Sequence, residues 1–514
     1  MVPDELTEIA AQQQILFDSS TSPAERKERG HFGTSTAIAQ FMAGLFSKLP
    51  DSSIRILDPG AGVGTLTAAF CQRLMAERKP RDVYVELWEN DQSLIPLLTR
   101  TMERCQQALH AQGHSMQFVV KADDFILAHT QSNLFSAGPE PSFDIAILNP
   151  PYFKLRKDSP QAHAMPHVVH GQPNIYALFM AVTADLLQPT GEMVAITPRS
   201  YFNGPYFKRF RKWFFDRMTV RQIHVFESRS DAFKNDSVLQ ENVILHAEKD
   251  GPMGEIKLSS SAGRNLVDVE SRAAKYEKTI DNSNGDHVVR VAANALESEI
   301  VETMDALPKR FRQLGFEIST GPVVTFRSTE LLRYEREEDT APLLWMHNVR
   351  PFITQFPQKN GKPSHIEVSK ASKRLLVPAK TYILLKRFTA KEEKRRLVAG
   401  IVMPQDSYSP WLGLENHLNY VYRKDEVLTE SEAFGLAAFF NSALVDRYFR
   451  AISGNTQVNA TEIRVMPVPD EETILHIGSE VSSLTAFDSG AIERIVGSAL
   501  QLPSRLLSKL VATT

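Results

Sequence analysis

The feature that most constrains how this chain folds is a strand–turn–helix unit at residues 54–74. A short apolar run, Ile54-Arg55-Ile56-Leu57, leads into Asp58-Pro59-Gly60-Ala61-Gly62-Val63-Gly64-Thr65, and a helical spacing of Leu66, Ala69, Phe70 and Leu74 follows. The glycines allow close backbone approach and unusual dihedrals at the strand's carboxyl end. No Gly-Lys-Ser/Thr follows, so this is not a phosphate-binding P-loop. The unit reads as a nucleotide-type cofactor loop in a parallel α/β sheet. Alone, it would also be explained by a tight turn. The next strands decide.

Val83-Tyr84-Val85-Glu86-Leu87-Trp88 ends in Glu89, Asn90 and Asp91. An acid at the end of a second strand holds ribose hydroxyls in doubly wound folds. Gln117-Phe118-Val119-Val120-Lys121 ends in Ala122-Asp123-Asp124-Phe125, where a carboxylate and a ring suit an adenine amine and its face. Singly, each acid reads as a solvated loop carboxylate. The fourth strand, Phe143 to Leu148, ends in Asn149-Pro150-Pro151-Tyr152. Two prolines stiffen the backbone and remove two donors. The carbonyls and the Asn149 oxygen are left to accept from a planar amino group, and Tyr152 offers a face for stacking. A strand with a Pro-Pro turn is the plain alternative for the tetrad alone. The order of all four strand ends favours a site that grips an exocyclic amine for methylation.

This ordered set resembles the gamma group of adenine-N6 DNA methyltransferases from restriction–modification systems, the TaqI-like and PstI-like enzymes. Arg29-Gly30-His31-Phe32-Gly33-Thr34-Ser35-Thr36 resembles the segment that precedes their glycine loop, with Thr34-Ser35-Thr36 where the family has a Thr-Pro turn. Asp231-Ala232-Phe233-Lys234 resembles a later block, and Gly454 to Thr461 a carboxyl-terminal one. The resemblance implies a Rossmann-like, mostly parallel S-adenosylmethionine-methyltransferase sheet with a carboxyl-terminal mixed α+β DNA target-recognition domain. It also implies S-adenosylmethionine held by Thr34, Ser35 or Thr36, by Asp58, Pro59, Gly60, Ala61, Gly62 and Gly64, and by Glu89, Asn90, Asp123, Asp124, Phe125 and Asn149. Catalysis would fall to Asn149, Pro150, Pro151 and Tyr152, with Tyr152 and Phe233 stacking on an extruded adenine. The expected partners are duplex DNA and a separately encoded restriction endonuclease. The enzyme would act as a monomer in a prokaryotic cytoplasm. Cytosine-N4 methylation is the nearer alternative, and RNA or protein-glutamine N-methylation the more distant one.

Composition adds bounds. With 514 residues the chain holds two or three domains. The expected division is a polar arm with one helical piece at 1–28, a catalytic domain at 29–250, linker and loops at 251–300, and target recognition at 301–514. No apolar run has membrane-spanning length, and the start has no secretory signal pattern. Cys71 and Cys105 lie inside helical patterns and read as buried free thiols, and no Cys/His cluster points to zinc. A net charge of −3 does not advertise a nucleic-acid binder, so local charge matters more. One basic stretch lies between Tyr206 and Lys234. A second contains Lys386, Arg387, Lys394, Arg395 and Arg396 and is the favoured DNA contact, with a solvated face as the plain alternative. Glu367-Val368-Ser369-Lys370 has a nuclease-like spacing but no acidic strand before it, so modification without cleavage is expected.

Overall fold

A computed structural model describes residues 6–512, except 23, 27–29, 32, 48, 78, 131–141, 172–173, 227–241, 264, 283–284, 293, 359–360, 390–392, 394 and 453–456. The chain forms two compact units, Met1–Ala293 and Asn294–Thr514.

The first unit contains, in order, α1 (Leu6–Ser20), α2 (Thr36–Gly44), β1 (Ser53–Pro59), α3 (Thr65–Met75), β2 (Asp82–Trp88), α4 (Ile95–Ala111), β3 (Ser115–Lys121), α5 (Phe125–Thr130) and β4 (Phe143–Leu148). It continues with α6 (Pro160–Ala164), α7 (Ile175–Leu186), β5 (Leu187–Pro198), α8 (Lys208–Phe215), β6 (Met218–Phe226), β7 (Asn242–Lys249), β8 (Ile256–Ser261) and β9 (Glu270–Ala274). The strands make one sheet in the order β3-β2-β1-β4-β5-β7-β6-β8-β9. The five strands from β3 to β5 are parallel, and β7 runs antiparallel to both its neighbours. This is the mostly parallel Rossmann-like architecture expected from the sequence.

Alternation within the strands explains the two helical layers. Side chains of a strand point to opposite faces in turn. Ile145 and Ile147 of β4 join Ile54 and Ile56 of β1 in one core with Phe70 of α3 and Met102 of α4. Ala146 and Leu148 join Leu57 in the other core, with Tyr176 and Met180 of α7 and Phe210 of α8. Both faces are therefore apolar, which is why β1 and β4 read as nearly continuous hydrophobic runs.

Two expected boundaries change. The arm at 1–28 contains α1, whose Leu6, Ala10 and Phe17 are buried in the first unit. Thr7 also bonds to Gln72 of α3, through its hydroxyl at 3.2 Å and its amide at 3.3 Å. The stretch 251–300 contains β8 and β9, which extend the large sheet. The serine run of β8 concealed a buried strand. Ser259 and Ser261 are inside because His224 and Gln222 of β6 meet their hydroxyls at 2.9–3.1 Å. Buried polar groups are tolerated when bonded in this way.

The second unit is mixed α+β. A six-stranded sheet runs in the order Phe316–Thr320, Leu418–Arg423, Tyr382–Lys386, Ala399–Val402, Phe352–Thr354, Val349–Arg350, and a smaller sheet has five short strands. Ile318, Ile383, Leu385 and Val421 pack into a core with Leu436, Phe439 and Phe440 of the helix Glu430–Asn441. That helix meets Glu471–Ser482 backbone to backbone, since a Cβ on Gly435 or Gly478 would overlap Ile474 or Ser431 carbonyls. Among the described residues, no helix is long and apolar enough to cross a membrane.

Candidate active site and cofactor cavity

Strand order reverses between β1 and β4, and ligands of open α/β sheets bind at such a switch point, outside the strands' carboxyl ends. A cavity of about 610 Å³ lies there. It is lined by the turns after β1, β2, β3 and β4, together with residues from α1, from 30–34 and from α7.

The glycine turn is built by its dihedrals. Gly60, Gly62 and Gly64 have φ of +78°, +57° and +85°, where other residues are strained. The Gly60 and Ala61 amides donate to the Trp88 carbonyl at 2.8 and 2.9 Å, which ties the turn to the end of β2. Gly60, Ala61 and Gly62 line the cavity, and a Cβ on Gly62 would meet nothing within 4 Å. Gly64 serves packing instead. A Cβ there would stand 2.8 Å from Met102 Cε and 2.9 Å from Leu98 Cδ1 of α4.

The acids divide into lining and supporting groups. Glu89 lines the cavity and accepts the Gly62 and Asp91 amides at 2.9 Å each, one on each carboxylate oxygen. Burial raises its pKa, with the Asp91 charge adding and the backbone bonds opposing. Asp58 does not line the cavity. It is fully buried beneath the turn, with Oδ2 accepting the Thr67 hydroxyl at 2.7 Å and Oδ1 lacking a hydrogen-bond partner. Burial pushes its pKa up to about 7, against the Thr67 hydrogen bonds. Asp123, Asp124 and Phe125 all line the cavity. Asp124 is engaged, since Oδ1 takes the Leu127 amide at 2.9 Å and Oδ2 the Gln161 side chain at 2.8 Å. Phe125 packs against Trp88 at 5.6 Å and Phe179 at 5.2 Å between ring centroids. A cavity-facing carboxylate, open space over glycines and adjoining rings fit the ribose and base of a nucleoside cofactor.

The tetrad opens on the same space. Asn149 and Pro151 line it, and Gly60 faces them, since a Cβ there would lie 3.6 Å from Pro151 Cδ and 3.8 Å from the Asn149 carbonyl. Asn149 Nδ2 donates to Thr34 Oγ1 at 2.9 Å. Tyr152 differs from expectation. Its ring is 8% exposed and meets Tyr176 edge to face. Its hydroxyl donates to Asn149 Oδ1 and toward the Ile196 carbonyl at 2.9 Å. In this arrangement the stacking face expected of Tyr152 is turned into the core, and the neighbouring Phe153 lines the cavity. Periodicity cannot tell which of two adjacent rings turns inward after a Pro-Pro turn.

The remaining expected residues separate clearly. Thr34 lines the cavity, whereas Ser35 caps α2 by accepting the Ile38 amide and Thr36 begins that helix. Pro59 and Pro150 are not in the lining. Phe233 and Lys394 lie outside the described residues. Gln14 and Phe17 of α1, His31, Trp88 and Phe179 line the cavity without having been expected there. For Trp88 the signal was available in its place beside Glu89. For α1 there was none, because its contribution depends on packing.

The basic stretches are largely structural. Arg396 is 2% exposed, and its amide and Nε bond to Asp446 and Thr389, so the DNA contact expected of it is corrected to a core role. Arg387 reaches the Asn416 carbonyl at 3.0 Å and Gln457 at 3.2 Å. Lys386 and Arg395 are half-buried. In α8, Arg211 is buried on the Tyr201, Gly204 and Asp286 carbonyls. Glu367 of the nuclease-like spacing pairs with Arg333 at 2.6 Å.

Comparison with known proteins gives concordant results. The model of the Eco57I restriction-modification methylase family matches residues 75–233, a span that includes the tetrad. The chain is 34% identical over 506 residues to the type II methyltransferase M.PstI of Providencia stuartii, covering 96% of this chain and 99% of that one. It is 35% identical over 460 residues to the type II methyltransferase M.BsuBI of Bacillus subtilis, covering 89% and 90%. Among solved structures, the type IIL restriction–modification enzyme MmeI, determined in complex with DNA, shares the fold. The TM-score is 0.52 at 11% identity, covering 98% of this chain and 74% of that one.

Proposed function

Since the chain belongs to the type II methyltransferases of restriction–modification systems, we propose that it methylates adenine N6 within a short duplex DNA sequence, with S-adenosylmethionine as donor. The modification would shield that sequence from a separately encoded endonuclease. One observation carries the reading: Asn149 and Pro151 of the tetrad line the same cavity as the glycine turn and Glu89.

When bound, S-adenosylmethionine would supply a sulfonium-activated methyl group. The chain's residues supply the rest. Glu89 would hold ribose hydroxyls, and Phe125 would pack beside the adenine ring, since both line the cavity. Asn149 Oδ1, from a residue that lines the cavity, would accept a hydrogen bond from one N–H of the target amine, and we assign the other N–H to the Pro150 carbonyl, although Pro150 is not itself in the lining. Adenine N6 is a poor nucleophile because its lone pair is delocalised into the ring. Acceptors on both N–H groups would favour a pyramidal nitrogen and stabilise the positive charge that grows as the methyl group transfers, and the methylated nitrogen then returns to neutrality by losing one proton to solvent. Such interactions strengthen toward the transition state, which is what raises kcat. The prolines hold both acceptors without reorganisation, and the cavity aligns amine and methyl.

A base stacked in a duplex cannot reach this cavity and must be extruded, at a cost of a few kcal/mol. Phe153 lines the cavity, and we assign it the stacking contact, which would offset about 1–3 kcal/mol. We assign sequence readout to the second unit, with Lys386 and Arg395 on phosphates.

The test is nucleoside mass analysis after incubating the protein with duplex DNA and S-adenosylmethionine. N6-methyladenine supports the reading. N4-methylcytosine would replace the target base, and unmethylated DNA would end the proposal.

A further inference from the structure

Resting on that reading, we propose that Tyr206 is the ring that enters the duplex when the target nucleotide leaves it, stacking on the unpaired base of the opposite strand. An extruded nucleotide leaves a gap in the base stack beside an orphaned partner. A planar side chain that fills the gap recovers stacking with any sequence, because every base has a π-face. Such a ring must stand at the edge on which the tetrad opens and face away from the core. It gains from a rigid mount and from cations that meet the flanking phosphates.

Topology places Tyr206 at that edge. β5 lies beside β4 and parallel to it, so the chain leaves both strands on the same side of the sheet. Two short helical turns, Arg199–Phe202 and Pro205–Phe207, follow β5. The connection to the cavity runs through the segment after the tetrad. Phe153 lines the cavity, and its carbonyl accepts the Ile175 amide at 3.1 Å. The next residue, Lys154, pairs with Asn174 in an antiparallel bridge. Gly171 is three residues from Asn174, at most about 11 Å along the chain, and Tyr206 packs on it. A Cβ on Gly171 would stand 2.4 Å from Tyr206 Cδ1, and φ there is +70°, so this approach requires glycine.

The ring faces outward from a fixed base. Tyr206 is 55% exposed, the most of any phenylalanine, tyrosine or tryptophan among the described residues of the first unit. Its neighbour Phe207 turns the other way and stacks on Tyr176 of α7, with centroids 5.6 Å apart and planes at 22°. Gly171 therefore covers one side of Tyr206 and leaves the remainder to solvent. Beneath it, the buried Arg211 of α8 donates to the Tyr201 and Gly204 carbonyls at 3.2 and 2.7 Å, and the Gly204 amide donates to the Ser200 carbonyl at 3.1 Å. A ring on a mount held in this way loses little freedom on insertion.

Charge at this surface suits a phosphate chain. Arg209 is exposed, and its Nη1 donates to the Pro166 and Val169 carbonyls at 3.0 and 3.2 Å, which ties α8 to the segment that carries Gly171. Nε and Nη2 of the same guanidinium remain for a phosphate. Lys154 is exposed as well. Two neighbouring cations are already matched, Arg156 by Asp158 at 2.8 Å and Lys208 by Asp286 at 2.7 Å.

The experiment uses the full chain and a duplex containing the word it methylates, found by methylome sequencing. In one version, 5-iodouracil stands opposite the target adenine. Irradiation with the parent protein and S-adenosylhomocysteine should give a cross-link that peptide mapping assigns to Tyr206; a cross-link elsewhere, or none, would overturn the proposal. In a second version, an abasic site opposite the target makes extrusion cheap. Tyr206→Ala should lower kcat/KM about tenfold on the ordinary duplex, and less than about threefold on the abasic one, while Tyr206→Phe should match the parent on both. An equal deficit on the two duplexes would reduce Tyr206 to a packing residue, and no deficit on the ordinary duplex would dismiss it. If Tyr206→Ala does not fold, the cross-link on the parent protein decides. Absence of N6-methyladenine from the parent protein would instead count against the function proposed above.

Discussion

The turns after β1 and β4 leave neighbouring parallel strands, paired through Ile56 with Ile145 and Leu57 with Ala146, yet they are built from opposite residues. The first is made of glycines with φ from +57° to +85°. The second is made of prolines with fixed φ and no N–H. The first removes side chains so that a ligand can approach the backbone. The second removes two backbone donors, so that the main chain at Pro150 and Pro151 offers only carbonyls. On the function proposed above, one turn makes room and the other makes chemistry, and a substitution should fail differently in each.

The largest expected effect tests the proline turn. Asn149→Ala should lower kcat by about 10²–10³, roughly 3–4 kcal/mol, by analogy with loss of one oxyanion-hole donor. Cofactor affinity by calorimetry should change little. A loss confined to cofactor affinity would make Asn149 part of the glycine turn's function instead.

Next comes the acid that braces the glycine turn. Glu89 accepts Gly62 and Asp91 amides, so Glu89→Gln loses charge-assisted bonds and turns an N–H toward one of them. Cofactor affinity should fall by about 2–3 kcal/mol. kcat at saturation should hold, and a matching fall in kcat would blur the division between the turns.

Asp58 sharpens the comparison through pH. Its pKa is raised by burial to about 7 in the fold, against an ordinary value near 3.8. The folded state therefore binds more protons than the unfolded chain between those values. The sign follows: Asp58 favours folding at low pH, and its contribution declines as pH rises toward 7. From about pH 5 to pH 7 the decline is on the order of 2 kcal/mol for this buried group. Asp58→Asn should flatten that part of the stability profile, read as Tm against pH. An unchanged slope would assign it to other groups.

The smallest effect tests the glycine turn itself. Gly60→Ala carries about 1–2 kcal/mol of backbone strain at φ +78°. It should weaken cofactor binding about tenfold while leaving a folded protein. Unaltered affinity would mean that the turn relaxes at no cost.

Much of the site was legible because its chemistry sits at strand ends, where a local run announces both strand and turn. Gly60, Glu89, Asp123 and Asn149 were each found that way, and all line the cavity. What escaped was decided by packing. The α1 helix supplies Gln14 and Phe17 from far along the chain. Arg396 reads as a surface cation, but it is buried inside the second unit, its guanidinium on the Thr389 hydroxyl and its backbone amide on Asp446. The buried serines of β8 read as linker because hydrophobicity cannot anticipate partners such as His224 on another strand.

The sequence by itself determined the strand–turn pattern, the parallel sheet and the position of the tetrad at the end of β4. Each of these is set by backbone preferences and side-chain types within a few residues. Only the tertiary structure decided that Phe153 rather than Tyr152 faces the cavity and that Thr34 holds Asn149. It also showed that Asp58 lies beneath the turn and not against the ligand space. Those outcomes depend on which groups distant in the chain compete for the same hydrogen bonds and the same buried volume, and that competition exists only once the chain is folded.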